Sequence, residues 1–268
     1  MPRHPASARA ARRRGARAAA RAPLDLAGLR GRVGAARLPG DPARAERARR
    51  LLLAWLDTAA ARGLPLREAV AAMADGTAAR QLGEATRAAI LQAPPPAVAR
   101  AACASGCAFC CILDGPDGGT ITEEEARRLH RALAPLAGRP DGRAWHPRAC
   151  PALDPETRTC RAYGARPSLC RSFFSEDAEA CRRNAEGGAA AGAGLLGSHL
   201  DHLDVAALAR SALDGVAVAR SHALVRLAAA AVEGLDEEAA LSASRQTPRR
   251  LDEARRALAA AAVVGRRP

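Results

Sequence analysis

All eight cysteines of the 268-residue chain lie between Cys103 and Cys181, and four of them, Cys103, Cys107, Cys110 and Cys111, fall within nine consecutive residues. A chain of this length buries a core without cross-links, so the sulfur is not needed as a set of staples. The N-terminal segment is arginine-rich, with Arg12, Arg13 and Arg14 in a row, and lacks the apolar stretch of a secretory signal. The expectation is therefore a cytoplasmic protein, and in a reducing compartment a dense cysteine set reads as metal ligands rather than disulfides.

The spacing is Cys103-x3-Cys107-x2-Cys110-Cys111, followed by Cys150, Cys160, Cys170 and Cys181. Thiols bind metal as thiolates, and several thiolates gathered around nothing repel one another, so a positive centre has to offset them. Soft sulfur selects zinc, Cu(I) or iron–sulfur clusters over hard cations. All eight cysteines are candidate ligands. Neighbours in extended backbone point apart, so Cys110 and Cys111 need not serve the same atom. The count permits two four-thiolate sites, one polynuclear cluster, or one four-thiolate site with spare thiols, and leaves zinc and iron, including a [4Fe–4S] cluster, both open.

The combined pattern resembles the YkgJ-type cysteine-cluster family, described as zinc- or iron-chelating. The resemblance runs through the first four cysteines, the Ile121-Thr-Glu-Glu-Glu125 helix start, Cys150-Pro-Ala-Leu153, and Cys160-x2-Tyr163-x2-Arg166-Pro167-x2-Cys170-Arg171-x-Phe173. It implies metal or cluster binding with no reaction attached. Similar domains occur in flagellin lysine N-methylases, but no cofactor-binding glycine motif in this chain extends that activity to it, and no catalytic residue is assigned. Four thiolates on Zn²⁺ carry a net charge near −2, so N–H donors from Arg166 and Arg171, on either side of Cys170, are expected to support the sulfurs, together with Tyr163. Pro167 fixes the turn, and Tyr163, Phe173 and Phe174 are expected to form an apolar lid.

An enzymatic alternative rests on the first three cysteines. Cys103-x3-Cys107-x2-Cys110 has the cluster spacing of radical S-adenosylmethionine enzymes, with Phe109 before the third cysteine. Those enzymes place the loop after a strand of an alternating strand–helix barrel, whereas Pro94 to Ala102 does not read as a strand. Histidines add little: His146 sits in a loop near a cysteine, His130 lies on a helix, and His199 and His202 lack a nearby carboxylate motif.

Aromatic residues are 2% of the chain, so the core must be filled by Leu, Val and Ala, which pack best between close helices. The expected fold is mainly α: a helical bundle flanking a small cysteine-rich metal-binding module with a short β-hairpin. The expected divisions are a disordered basic arm over 1–40, N-terminal helices over 41–96, the module over 97–185 and C-terminal helices over 186–268. Within them, Asp41-Pro42 starts a helix that Gly63 ends, a second runs from Pro65 to near Gly76, and a third from Thr77 to Gln92. Thr122 and Glu125 form a capping box for a helix reaching Leu136. The segments Cys150–Leu153 and Thr159–Tyr163 read as extended strands around a turn that brings Cys150 and Cys160 together. Later helices are expected over 197–214, 216–232 and 248–263, packed against the front bundle.

No run approaches the ~20 apolar residues of a membrane span, so no membrane partner is expected. Of the net +13, residues 1–50 contribute +11, while the cysteine region is almost charge-balanced. The cluster thus carries no marked excess of positive charge, and nucleic acid is not an expected partner. The expected partner is a metal ion, with no protein partner assigned.

Overall fold

A computed structural model describes residues 24–113, 115–191, 193–261 and 263–264, and it is mainly α-helical. The first group of helices is α1 (Leu26–Ala35), α2 (Pro42–Ala61), α3 (Leu66–Asp75), α4 (Thr77–Gln92) and the short α5 (Pro96–Ala99). Their limits follow local chemistry. Asp41 caps α2 by accepting from the Ala43 amide ahead of Pro42, and α3 ends at Gly76, whose φ of 93° is left-handed. A side chain on Gly76 would also overlap Thr122, the N-cap of α6 (Glu123–Leu133), so this turn is where the bundle presses on the cysteine half.

The basic arm differs from expectation. Its first 23 residues lie outside the described residues, but Leu26–Ala35 is the helix α1, capped by Asp25 and burying Leu29 and Val33 completely. The reason is the i,i+4 spacing of Leu29 and Val33, which sets two apolar side chains on one face despite the surrounding arginines.

Beyond β1 (Thr120–Thr122) and α6 come α7 (Ser168–Ser172), β2 (Phe173–Ser175), α8 (Ala178–Ala185), β3 (Ala193–Leu196), α9 (Gly197–Ala212), β4 (Ser221–Ala223), α10 (Leu224–Val232), α11 (Glu237–Ser244), α12 (Pro248–Ala260) and β5 (Val263–Val264). The antiparallel pair β1–β4 aligns Thr120 with Ala223 and Thr122 with Ser221, closing a loop of about a hundred residues. The other sheet orders β2-β3-β5, antiparallel then parallel. The helix expected over 216–232 begins only at Leu224, because residues 221–223 pair with β1, and α11, capped by Asp236, was not foreseen.

Among the described residues, two large apolar cores form beside two small clusters. The larger joins α1, α2, α3, α4, α9 and α12 through residues such as Leu52, Met73, Leu200, Leu208 and Leu258. The smaller joins α6, α10 and α11 through Ile121, Leu129, Leu133, Leu224 and Leu227, and takes in Cys150 with the partly buried Cys111, Cys160 and Cys170. Each fully buried leucine contributes roughly 2 kcal/mol. The C-terminal helices therefore divide: α9 and α12 join the bundle, whereas α10 and α11 cover the cysteine module.

Helix α9 runs through the centre and is buried nearly all round, yet its first half carries Ser198, His199, Asp201, His202 and Asp204. Such groups need partners when removed from water. Arg47 of α2 grips Asp201 through two hydrogen bonds of 2.7 and 2.8 Å, and Arg44 grips Asp204 at 2.9 and 2.7 Å. Arg255 of α12 adds a third guanidinium at 2.8 Å from Asp204. Bidentate forks of this kind suit a chain whose fixed cations are all arginine. Asp204→Ala leaves the largely buried Arg44 without its carboxylate and Arg255 with only the longer contact to Asp252 at 3.5 Å, and is expected to lower unfolding free energy by about 3 kcal/mol, read as a shifted urea midpoint.

Candidate metal centre

The first four cysteines lie on a run of tight turns. Gly106 takes a φ of 81°, the Cys107 amide donates to the Ala104 carbonyl, and Phe109–Cys111 form one 3-10 turn. An antiparallel bridge between Ile112 and Ala149, with the Cys150 amide donating to the Cys111 carbonyl at 2.8 Å, lays the second cysteine group against the first. Gly142 faces the Cys150 carbonyl so closely that a Cβ would collide with it.

The expected strand–turn–strand is present in reduced form. Leu153 and Cys160 form one antiparallel bridge, the Arg161 amide donates to Ala152, and Asp154 accepts the amides of Glu156 and Thr157 inside the turn. Arg158 adopts a left-handed φ of 55° to complete it. Pro167 precedes α7, which carries Cys170, and α8 carries the buried Cys181 and packs on the Phe109–Cys111 turn.

These elements sort the sulfurs into two neighbourhoods. In one, burial pushes the Cys150 thiol up to about 12, with the nearby Cys160, Asp141 and Cys110 adding to the effect. The Cys170 thiol is raised well above its ordinary value by burial and then by Cys150, Cys160 and Cys110, and Cys160 is raised by burial with Cys110 contributing. Cys110 is exposed as a residue, yet its thiol is held up first by its hydrogen bond with Cys111 and then by desolvation of the sulfur. In the other neighbourhood, Cys181 is raised by burial and by Cys110, Cys107 and Cys103, against a hydrogen bond with Ser175 that lowers it. The Cys103 sulfur lies 3.9 Å from the Ser175 carbonyl. Cys110 is common to both. Among the described residues, no three Cys, His, Asp or Glu side chains converge closely enough to hold an ion as they stand.

Arg166 lowers the Cys110, Cys160 and Cys170 thiols by its charge, and its guanidinium stacks 3.7 Å from the centre of the Tyr163 ring. Arg171 instead reaches Glu84 of α4 at 2.7 Å. Arg161, which the sequence reading passed over, also lowers Cys160 while donating to the carbonyls of Pro140 and Pro151. Its signal was the same as that of Arg171, an arginine directly after a cysteine. The expected aromatic lid is not formed: Tyr163 is 66% exposed, and Phe174 packs with Ile90 and Leu196 in a separate cluster, because β2 pairs with β3 there.

Residues 102–186 match the family model CxxCxxCC, described as "Putative zinc- or iron-chelating domain", a segment that holds all eight cysteines. Over this segment, about a third of the chain, the sequence is similar to that family. No curated protein and no solved structure matches the chain significantly. The matched segment covers the turns, bridges and short helices just described together with β1 and α6, whereas the bundle helices and α9 to α12 lie outside it. No helix among the described residues is long and apolar enough to cross a membrane.

The histidines separate in kind. His130 packs with Nε2 2.9 Å from the Leu235 carbonyl, and Nδ1 of His146 accepts the Arg148 amide at 3.2 Å. His199 and His202 stack with ring centres 6.0 Å apart, and the carboxylate they lacked in sequence is Glu125, 3.3 Å from His202 Nε2. Glu125 serves the capping box and also accepts the Ser168 amide at 2.7 Å, so it ties α6, α7 and α9 together.

Burial would raise the Glu125 carboxyl, but the His202 charge and the amides of Ser168 and Thr122 bring it to about 2. Burial would lower His202, and Glu125 overrides it, leaving it raised. Burial and the charge of His202 drive His199 down to about 3. A depressed histidine or carboxyl favours the fold above its unfolded pKa, and a raised histidine favours it below. Stability is therefore expected to fall as pH drops below about 6.5 through His199, and again below about 4.5 toward 2 through Glu125. It is expected to fall on the alkaline side as His202 loses its proton. Histidine NMR titration checks this: Glu125→Gln should bring the His202 midpoint below that of a free histidine.

Proposed function

We propose that the protein binds zinc or iron through a four-thiolate site made by Cys110, Cys150, Cys160 and Cys170. The observation that supports this set is their shared neighbourhood: Cys150, Cys160 and Cys170 share one cluster, and each is raised by burial and by Cys110, while Cys110 itself is raised first by its hydrogen bond with Cys111 and then by burial, as expected of thiols without a compensating cation. The donor set fits the group, being soft, clustered and backed by the charges of Arg161 and Arg166. Among the described residues no three of these side chains converge on one point as they stand, so holding an ion would require the sulfurs to move together. Cys103, Cys107 and Cys181, with Cys111 beside Cys110, form an adjoining group that takes a second ion or extends the first centre.

Zinc would fix the fold of the module, and an iron–sulfur cluster would carry an electron. The chain's own part is clear in either case. The apolar side chains of α6 and α10 keep water from Cys150, the Leu153–Cys160 bridge sets the spacing of two ligands, and Arg166 offsets their negative charge. The radical-enzyme alternative receives no support: the strands among the described residues are two to four residues long, in sheets of two and three.

Anaerobic purification followed by elemental analysis tests the reading. The wild-type chain is expected to carry at least one zinc or iron per molecule, with visible sulfur-to-iron absorbance only if iron is present. Cys110→Ser and Cys150→Ser are expected to lose at least half of it and to melt at lower temperature, while His146→Ala changes neither. A wild-type chain without stoichiometric metal overturns the proposal.

A further inference from the structure

Between the bundle and the chelating domain lies a cleft whose walls come from α4, α6, α7 and the start of α9. Five arginines line it: Arg80, Arg87, Arg128, Arg166 and Arg171. The nearby carboxylates are already committed. Glu84 pairs with Arg80 at 3.0 Å and Arg171 at 2.7 Å, Glu124 with Arg80 at 3.0 Å and Arg128 at 3.8 Å, and Glu125 with His202. Among the described residues, neither Arg87 nor Arg166 has a carboxylate within ion-pair distance.

The excess of positive charge is accompanied by unused donors. Ser172 and Ser198 are each 1% exposed, both line the cleft, and neither hydroxyl has a hydrogen-bond partner. The buried Nε of Arg166 is likewise unpartnered, and Arg87 uses only its Nε, on the Arg171 carbonyl at 3.1 Å. Buried donors without acceptors are costly, and guanidiniums held together repel, so the arrangement is incomplete on its own. Burial lowers the pKa of Arg87, and the like charges of Arg171 and Arg166 add to this.

We propose that this cleft binds a phosphate-type oxyanion, held by Arg87 and Arg166 with the hydroxyls of Ser172 and Ser198. Five guanidiniums against three carboxylates leave room for two negative charges. Donors come from four separate segments, α4, α7, α9 and the residues before α7, an arrangement that suits a tetrahedral acceptor reached from several sides. The enclosed space is about 20 Å³, enough for one or two oxygen-sized atoms, so the anion inserts an edge and leaves the rest toward solvent. Arg166 and Ser168 also flank Pro167, two and three residues from Cys170, so the anion would sit beside the thiolate module without being part of it.

Calorimetric titration of the full chain with inorganic phosphate, at constant ionic strength, tests this. Saturable binding of one phosphate per chain is expected, weakened about tenfold or more by Arg87→Gln and several-fold by Ser198→Ala. Should Arg87→Gln fail to fold, Ser198→Ala carries the test, because it removes only a hydroxyl. Glycerol phosphate in a parallel titration separates the sources: binding as tight as that of the free ion points to a phosphorylated small molecule, and weaker binding to phosphate itself. Absence of saturation, equal binding by both variants, or acetate binding as tightly as phosphate overturns the proposal. Metal content of the same samples is expected to be unchanged by Ser198→Ala, so loss of anion binding is distinguishable from failure of the metal reading.

Discussion

Helix α9 is buried almost completely although its first half is polar, and the fold is arranged around satisfying it. Asp201 and Asp204 draw in Arg47 and Arg44 from α2 and Arg255 from α12, while His202 and His199 draw in Glu125 from α6 and Ser168 from α7. One end of this set fastens the bundle to its central helix. The other fastens the chelating domain to the same helix. A single misplaced partner would leave a charge stranded away from water, so these contacts fix how the two cores meet as well as stabilising each.

The thiol neighbourhoods obey the opposite logic. Around α9 each buried charge meets its complement within the chain, but around Cys150, Cys160 and Cys170 burial and mutual proximity act in the same direction, opposed by the Ala152 and Ala162 backbone hydrogen bonds and by the charges of Arg166 and Arg161. The protein supplies its own counterions for carboxylates and only part of the compensation for the clustered thiols. On the proposed reading, the cysteine segment would depend on an ion in a way that the bundle does not.

Much of this was legible in the residues. Asp41-Pro42, Gly76 and the Thr122–Glu125 box are local signals, and the helices they bound stand where the residues placed them. The cysteine spacing likewise pointed to the family whose model matches residues 102–186. What escaped was long-range. Residues 221–223 carry no local reason to leave a helix and do so because β1 lies opposite, and Leu29 and Val33 fold within an arginine-rich stretch because a core is there to receive them. Glu125 showed its capping role, which is local, and concealed its contact with His202, which requires α9 to be in place. The aromatic lid failed for the same reason, as β3 recruits Phe174 away from the sulfurs.

The antiparallel pairing of Thr120–Thr122 with Ser221–Ala223 bears on synthesis. The apolar roof over the chelating domain is made by Leu224 and Leu227, which leave the ribosome only after every cysteine has emerged. Until then the cysteine loops stay uncovered, so on the proposed reading an ion could reach them before the roof closes. A fragment trimmed to the family boundaries, residues 102–186, would lack that roof and expose Ile121, Leu129 and Leu133 to water.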